Sequence, residues 1–308
     1  MPEGIVAKSY CGYYDVIVKA ARYVCKPRGV LAVQNQEIFV GDTVQLSGLE
    51  QATAVIETVN PRRNLLEHPA AANVDQAIVV VSAHEPDVSF EMIDTFLCLV
   101  ANAGLRSVLC INKSDLLTTA EIAILKEIYD PIVTIVFVSA LQGLGLGSLQ
   151  KELAGKNTVF TGPSGVGKST ILNKLNPLLL RVEGNVSLKN KHGKHTTRDV
   201  ELLFLDEQTC VLDTPGFTAI DQHLGKQDLP GMFPEIMAVA SNCKFSGCTH
   251  LNEPGCAVRA AVDLGQIAKS RFTSYSTFMA QALAFEKNQY KRQYKTSFRK
   301  GTNKKWLP

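Results

Sequence analysis

The sequence predicts an α/β domain with a mainly parallel sheet, between an N-terminal β-barrel and a C-terminal helical domain. Between residues 63 and 225, apolar strand-like runs alternate with helix-like segments, as in parallel sheets covered on both faces. Before them lie five short runs rich in Val, Ile, Tyr and Thr, and after them the pattern is helical apart from a cysteine cluster. The predicted domains are 1–64, 65–225 and 226–308.

Composition and charge narrow the class of protein. The 308 residues are 45% hydrophobic and 20% charged, which excludes a disordered or collagen-like chain. No apolar run is long enough to cross a bilayer and the N-terminus does not resemble a secretory signal, so we expect a cytoplasmic protein without a membrane partner. Three of the eight cysteines fall within fourteen residues, which favours a reducing compartment and one metal site.

The N-terminal domain is predicted to be an OB-like β-barrel that binds RNA. Five short strands in about sixty residues favour this architecture, and another small β domain is the alternative. The predicted strands are Ile5–Ala7, Tyr13–Lys19, Val30–Gln34, Thr43–Leu46 and Thr53–Val59.

The central domain has five near-continuous apolar runs and four helical patterns. The predicted strands are Ala77–Ser82, Ser107–Ile111, Ile132–Val138, Thr158–Phe160 and Cys210–Leu212. The predicted helices are about Phe90–Ala103, Ala120–Tyr129, Leu146–Leu153 and Lys168–Leu175.

A phosphate-binding loop follows one of these strands. Residues 162–169 read GPSGVGKS and match G-x-x-x-x-G-K-[ST] between a strand and a helix. Backbone N–H groups would surround the phosphates, Lys168 would reach the β/γ-phosphates, and Ser169 would ligate Mg²⁺. An ordinary glycine-rich turn is the alternative. The predicted ligands are Gly162, Pro163, Ser164, Gly165, Val166, Gly167, Lys168, Ser169 and Thr170.

A second motif indicates which base is bound. Asn112, Lys113, Ser114 and Asp115 form an N-K-x-D pattern after an apolar strand. The Asp115 carboxylate can accept hydrogen bonds from the N1–H and 2-amino groups of guanine, whereas adenine offers no such donor pair. Alone this pattern is more often an ordinary loop, but beside a phosphate-binding loop it favours GTP. Ser139 and Ala140, after the next strand, fit a loop that packs on the same base.

Two further segments follow the phosphate-binding loop. Residues 213–216 read DTPG after a strand, where Asp213 can hold Mg²⁺ through water and the Gly216 N–H can sense the γ-phosphate; a simple β-turn is the alternative. Residues 194–197 read KHTT, and Thr196 or Thr197 can complete the Mg²⁺ shell. We assign Thr197 to this role.

These are the five motifs of a GTPase in permuted order, because the base-recognition pair precedes the phosphate-binding loop and the switch elements follow it. The chain resembles the RsgA family of small ribosomal subunit biogenesis GTPases over nearly its whole length. The resemblance implies a circularly permuted α/β P-loop GTPase with an OB-like barrel and a helical zinc-binding domain. It further implies a factor of late small-subunit (30S) maturation that binds 16S rRNA and is stimulated by the subunit.

The residue after DTPG is Phe217, which cannot orient a water molecule by hydrogen bonding. His195 is the nearest candidate in the sequence, and the family resemblance also indicates it; a solvated loop histidine is the alternative. The predicted catalytic residues are therefore His195, Lys168 and Thr197.

The cysteine cluster predicts one structural zinc per chain. Its four ligands are spaced as C-x4-C-x-H-x5-C, a Cys₃His set suited to tetrahedral Zn²⁺, with free core cysteines as the alternative. The predicted ligands are Cys243, Cys248, His250 and Cys256.

The C-terminal tail is basic and interleaved with aromatic residues. From Lys287 to Pro308 there are eight basic residues and no acidic one, so an outward stripe could neutralise RNA phosphates. A solvated helical face is the alternative. We expect a monomer. The rival functions are a nucleotide-gated RNA-binding module with incidental hydrolysis and a P-loop ATPase or kinase for a small molecule.

Overall fold

The computed structural model describes most of the chain. The residues described are 1–19, 21–29, 31, 36–51, 53–67, 69–84, 86–87, 89–175, 200–213 and 224–301, excepting the side chains of Asp213 and of 289–301. They fall into two compact units, Met1–Val88 with Ala103–Ile220, and Ser89–Asn102 with Asp221–Pro308. Among the described residues, no helix combines the length and apolar character that a membrane crossing needs.

Five strands close into a barrel at the N-terminus. The strands are β1 (Glu3–Tyr10), β2 (Tyr13–Val18), β3 (Ala21–Pro27), β4 (Thr43–Ser47) and β5 (Ala54–Val59). Their order is β1-β2-β3-β5-β4, and β4 pairs again with β1. Inward-pointing Val, Leu, Ile and Cys side chains fill the barrel, because alternate residues of each strand face its interior. The predicted five-stranded barrel is therefore confirmed.

The position of the third barrel strand was wrongly predicted. We expected it at Val30–Gln34, but β3 runs over Ala21–Pro27, and Leu31 has a helical backbone. The remaining predicted residues, 30 and 32–34, lie outside the described part of the chain. Strand β3 forms a hairpin with β2, with Val18 opposite Ala21. The turn at Lys19, with a φ of 46°, comes too early for a strand beginning at residue 30.

The central sheet continues directly from the barrel. Its strands are β8 (Gln76–Ser82), β9 (Arg106–Asn112), β10 (Thr134–Phe137), β11 (Asn157–Thr161), β12 (Glu201–Phe204) and β13 (Cys210–Asp213). The order is β10-β9-β8-β11-β13-β12, and β12 then pairs with β1 of the barrel. All neighbours from β10 to β13 are parallel, and β12 is antiparallel. The five predicted strands are confirmed, whereas β12 and the small hairpin of β6 (Leu65–Glu67) and β7 (Ala70–Ala72) were not predicted.

Burial explains why these runs form strands. Every residue of β8 is buried, as expected for a central strand covered on both faces. The predicted helices are present as α1 (Phe90–Asn102), α2 (Thr119–Tyr129), α3 (Leu146–Leu153) and α4 (Lys168–Leu175). Helix α2 begins with a capping box in which Thr118 and Glu121 exchange side-chain and backbone hydrogen bonds. Leu149 and Leu153 of α3 and Ile171 of α4 pack in one core with the sheet.

The second unit is helical. It contains α1 together with α5 (Pro234–Ala240), α6 (Ala257–Asp263) and the long α7 (Lys269–Gly301). Phe233, Ile236, Tyr275 and Met279 are among the residues of its core, and Cys98 of α1 belongs to the same cluster. The helical pattern predicted after residue 225 is present, and its last part, Lys269–Gly301, is one helix.

Candidate functional site

The predicted phosphate-binding loop lies where the parallel strands end. Strand β11 ends at Thr161 and α4 begins at Lys168, so residues 162–167 form the loop at the carboxyl edge of the sheet. Ligands in such sheets bind at this edge. Gly162 has a φ of 136°, and a Cβ there would lie 2.0 Å from the Val80 carbonyl oxygen. Only glycine fits this position, because any side chain would collide with backbone of β8.

Lys168 is directed back onto its own loop. Its Nζ donates to the carbonyl oxygens of Gly162 at 2.8 Å and Pro163 at 2.6 Å. The side chain is partly buried, and this burial lowers the pKa of Lys168 because desolvation disfavours the charged form. A bound phosphate would place a full negative charge beside the ammonium group and so favour its charged form. The geometry therefore suits Lys168 to anion binding.

Asn112 connects three loops of the site. Its Nδ2 donates to the Val166 carbonyl in the phosphate-binding loop at 2.8 Å, and its Oδ1 accepts from the Ala140 N–H at 3.1 Å. The residue is only 3% exposed. A Cβ on Gly167 would lie 2.4 Å from the same Nδ2, so this glycine leaves room for the amide. Asn112 thereby holds the predicted base and phosphate loops in one arrangement.

Asp115 lies on a short 3₁₀ turn, Ser114–Leu116, which follows Lys113 in a left-handed conformation with a φ of 56°. The Asp115 side chain is exposed and accepts a hydrogen bond from Gln142 Nε2 at 3.3 Å. The Gln142 N–H in turn donates to the buried Ser139 hydroxyl. The loops that carry Asp115 and Ser139 are thus adjacent, and Asp115 is open to a ligand.

The four predicted metal ligands meet in space. Their ligand atoms lie within 4.8 Å of one another. His250 Nδ1 is 3.5 Å from Cys243 Sγ and 3.4 Å from Cys256 Sγ, and these two sulfurs are 3.9 Å apart. Tetrahedral Zn²⁺ with Zn–S of about 2.3 Å implies edges of about 3.8 Å between sulfurs and about 3.5 Å between sulfur and nitrogen. The donor set and its spacing therefore fit zinc, with Nδ1 as the histidine ligand.

Hydrogen bonds hold the loops that carry these ligands. Glu253 accepts from the Thr249 N–H at 2.8 Å and the Thr249 hydroxyl at 2.6 Å, and the hydroxyl hydrogen bond is the main cause that lowers the pKa of Glu253 to about 2. The Ala257 N–H donates to Cys243 Sγ at 3.3 Å. The Tyr275 hydroxyl of α7 donates to the Thr249 carbonyl. The ligand loops are therefore positioned by groups outside the ligand set.

Part of the predicted site lies outside the described residues. These positions are Lys194, His195, Thr196, Thr197, Thr214, Pro215, Gly216 and Phe217. Asp213 is the last residue of β13. The exposed Ser169 and Thr170 lie in the first turn of α4. Of the basic tail, Lys287 is exposed and the residues up to 301 continue the helix α7.

Gln142 and Glu253 were not expected in these sites. Gln142 is two residues after Ala140, and its polar side chain so close to the Ser-Ala pair is the signal that could have predicted it. Glu253 lies between two metal ligands, where an acidic residue could have been predicted to receive loop N–H groups.

Comparison with known proteins assigns the family. A family model described as RsgA GTPase matches residues 59–223, and one described as RsgA N-terminal domain matches residues 3–56. The chain belongs to the RsgA GTPase family. The predicted identification and the prediction of a GTP-hydrolysing enzyme are thereby confirmed.

Relatives of this RsgA-family chain match it over most of its length. A small ribosomal subunit biogenesis GTPase RsgA from Alkaliphilus metalliredigens is 39% identical over 279 residues, which cover 89% of this chain and 96% of the relative. The protein of the same name from Geobacillus thermodenitrificans is 40% identical over 290 residues, which cover 91% and 97%.

Solved structures agree with the permuted fold. The crystal structure of YjeQ from Thermotoga maritima is similar with a TM-score of 0.78 at 36% identity, covering 92% of this chain and 98% of that one. The structure of YloQ, described as a circularly permuted GTPase, has a TM-score of 0.76 at 31% identity, covering 92% and 96%. The predicted fold class of this RsgA-family chain is therefore confirmed.

Proposed function

We propose that this protein hydrolyses GTP while bound to the small ribosomal subunit, in a late step of that subunit's maturation. Its relatives carry the name small ribosomal subunit biogenesis GTPase, which supports this role. The proposed partner is the 30S subunit through its 16S rRNA, and the proposed setting is the cytoplasm, with the protein acting as a monomer.

The buried amide of Asn112 is the observation that carries the nucleotide assignment. It joins the loop of Val166 to the loop of Ala140 through two hydrogen bonds, and Asp115 is exposed beside them. A guanine base bound against Asp115 would have its phosphates at the 162–169 loop. Recognition of guanine and of phosphate thus depends on one preassembled set of loops.

The phosphates would be held by loop N–H groups and by Lys168, which would exchange the Gly162 and Pro163 carbonyls for phosphate oxygens. Ser169 and Thr197 are the proposed Mg²⁺ ligands, with Asp213 acting through water. When bound, Mg²⁺ neutralises charge on the β- and γ-phosphates. Positioning and charge stabilisation supply most of the catalysis in such sites.

We propose His195 as the group that positions the attacking water. Phe217 occupies the position where a glutamine would orient this water, and His195 is two residues before Thr197 in the chain. Gly216 would sense the γ-phosphate through its N–H.

The other two proposed domains, 1–64 and 226–308, would bind rRNA. We propose one structural zinc per chain at Cys243, Cys248, His250 and Cys256, a set that fits the metal by donor chemistry and spacing. The basic residues from Lys287 onward would neutralise RNA phosphates, so RNA affinity would fall as the salt concentration rises.

Steady-state hydrolysis of GTP and ATP, with and without purified small subunits, tests this function. We expect slow hydrolysis of GTP alone, strong stimulation by 30S subunits, and no stimulated ATP hydrolysis. Lys168→Ala should lose nucleotide binding and hydrolysis together. Subunit binding that depends on nucleotide without stimulated turnover would favour the gated RNA-binding module, and turnover of ATP would favour the small-molecule enzyme.

A further inference from the structure

Strand β12 connects the nucleotide edge of the central sheet to the barrel. It pairs with β13 on one side, where Glu201 is opposite Asp213, and with β1 on the other, where Glu201 is opposite Lys8. Asp213 is the end of a parallel strand at the edge where the nucleotide loops lie. Glu201 therefore lies between Asp213, a predicted nucleotide-binding residue on one neighbouring strand, and the first barrel strand on the other side.

The Glu201 side chain is bonded to the barrel through both oxygens. Lys8 Nζ is 2.9 Å from Oε2, and an Arg22 guanidinium nitrogen is 3.3 Å from Oε1. Arg22 also forms an ion pair with the buried carboxylate of Asp15 at 3.3 Å, and the Tyr10 hydroxyl donates to Asp15 at 2.9 Å. One polar network thus extends from β12 across β1 and β2 to β3.

The proposed nucleotide-sensing residues are close to this strand in the chain. Thr197, the proposed Mg²⁺ ligand, is four residues before Glu201, and Gly216 is three residues after Asp213. Bound γ-phosphate orders segments of this kind in GTPases. A change in either segment would reach β12 at the end where Glu201 lies.

We propose that Glu201 is a positioning residue that couples the nucleotide state to the barrel. When bound nucleotide orders β12, the ion pairs of Glu201 with Lys8 and Arg22 would also order β1 and β3. The inference rests on the proposed function in taking the bound nucleotide to be GTP and the barrel to be an RNA-binding domain. Its consequence is that the barrel would present its RNA-binding surface differently in the GTP and GDP states. Coupling of this kind is reciprocal, so RNA bound to the barrel would also alter nucleotide affinity.

Hydrogen exchange of the full-length protein tests the coupling without ribosomes. We expect the amides of β1 to exchange about two- to tenfold more slowly with a non-hydrolysable GTP analogue than with GDP, the range given by one or two partly exposed ion pairs. In Glu201→Gln, the ratio of the β1 exchange rates in the GDP and GTP-analogue states should fall below about two. Lys8→Met, which removes only one partner of Glu201, should have an intermediate effect. GDP affinity and circular dichroism should be unchanged in both variants.

Glu152→Gln is the matched control. Glu152 has a side-chain exposure of 26%, close to the 27% of Glu201, and pairs with Arg106 at 2.8 Å, at the start of β9 and away from β12. It should retain the wild-type ratio. An identical β1 exchange rate in the two nucleotide states of the wild type, or an unchanged ratio in Glu201→Gln, would overturn the inference.

Subunit binding distinguishes this inference from the proposed function. Failure of the wild-type protein to bind purified 30S subunits in either nucleotide state would reject the ribosomal role, while the exchange result would still decide the coupling. Binding that favours the GTP analogue in the wild type, and loses that preference in Glu201→Gln but not in Glu152→Gln, would support both.

Discussion

At the scale of single residues, the site depends on a few polar side chains with several partners each. Asn112 satisfies a carbonyl of one loop and an N–H of another while nearly fully buried. An unpaired buried polar group costs about 1–3 kcal/mol, so a change at this position would disturb both loops. Asp115, in contrast, is exposed, and its contact with Gln142 at 3.3 Å is weak, so its carboxylate can face a base.

Asp115→Asn should change the base preference. The amide keeps one acceptor oxygen where the carboxylate has two, so only one of the guanine N1–H and 2-amino donors would keep its partner. We therefore expect GTP affinity to fall at least about tenfold, the equivalent of one charge-assisted hydrogen bond. The same amide can donate to the 2-oxo group of xanthine, so affinity for xanthosine triphosphate should rise. Fluorescence titration with both nucleotides measures this. Asp130→Asn, at an exposed helix end, is the control, and unchanged GTP affinity in Asp115→Asn would contradict the guanine assignment.

At the scale of elements, helix α1 joins the C-terminal helices although it lies between two strands of the central sheet in the chain. Arg271 of α7 donates to Asp94 of α1 at 2.6 Å and to Glu235 of α5 at 2.8 Å, and its guanidinium lies over the Phe233 ring. Arg271 and Asp94 are almost completely buried, at 2% and 0% side-chain exposure. The triad therefore links three helices of one unit.

Asp94→Ala should destabilise this unit strongly. Removal of one partner leaves a buried guanidinium with a single carboxylate, and breaking a buried pair typically costs about 3–5 kcal/mol. Urea unfolding followed by circular dichroism should show an earlier transition for the second unit. Asp263→Ala, an exposed residue of α6, should change the unfolding free energy by no more than about 0.5 kcal/mol. Equal stability of Asp94→Ala and wild type would show that the triad contributes little.

Folding of the C-terminal region should depend on the metal bound by the zinc-ligand loops. We expect about one zinc per chain by metal analysis of freshly reduced protein. Cys248→Ala should lose the metal and unfold the C-terminal region while GTP still binds, because metal binding and folding are coupled in structural sites. Cys11→Ala, which changes an exposed cysteine of the barrel, should keep the zinc. Reduced wild-type protein without zinc would reject the site.

At the scale of the whole molecule, the order of the motifs in the chain determines which of the proposed nucleotide loops lead into the barrel and which into the C-terminal unit. The proposed base-recognition loops come first in the chain, and the segment after Asp213 leads into the C-terminal unit. The central sheet is continuous with the barrel through β12 and β1. Permutation thus places the proposed γ-phosphate sensors beside the connections to both flanking parts of the chain.

His195→Ala should abolish most of the subunit-stimulated hydrolysis. A group that positions water acts on the transition state, so nucleotide affinity should change little, while a supplied group in such sites adds about 10³–10⁵-fold to the rate. Turnover at saturating GTP and saturating 30S subunits should be compared between wild type and variant. Equal stimulated rates would mean that His195 is a loop residue and that the catalytic group lies elsewhere or comes from the subunit.

Local patterns account for the elements that were predicted correctly. The strands around Ile78 and Val108 are apolar on both faces, and the 162–169 loop is contiguous in the chain, so neighbouring residues suffice to specify them. The β-propensity of Val30–Gln34 predicts a third barrel strand there, but pairing with β2 and β5 positions that strand at Ala21–Pro27 instead. Strand β12, with four residues, was missed because it is defined by pairing with β13 and with β1, which is distant in sequence.

The sequence by itself determined the motifs on which the proposed chemistry rests, namely the GPSGVGKS and NKSD segments, the Cys₃His set and their permuted order. These depend on residue identity at short spacing, which the chain carries without folding. Only the tertiary structure decided that Asn112 bridges Val166 and Ala140, that α1 pairs with α7 through Asp94 and Arg271, and that Glu201 lies between Asp213 and Lys8. Contacts between residues far apart in the chain arise from packing and strand register, which no local pattern specifies.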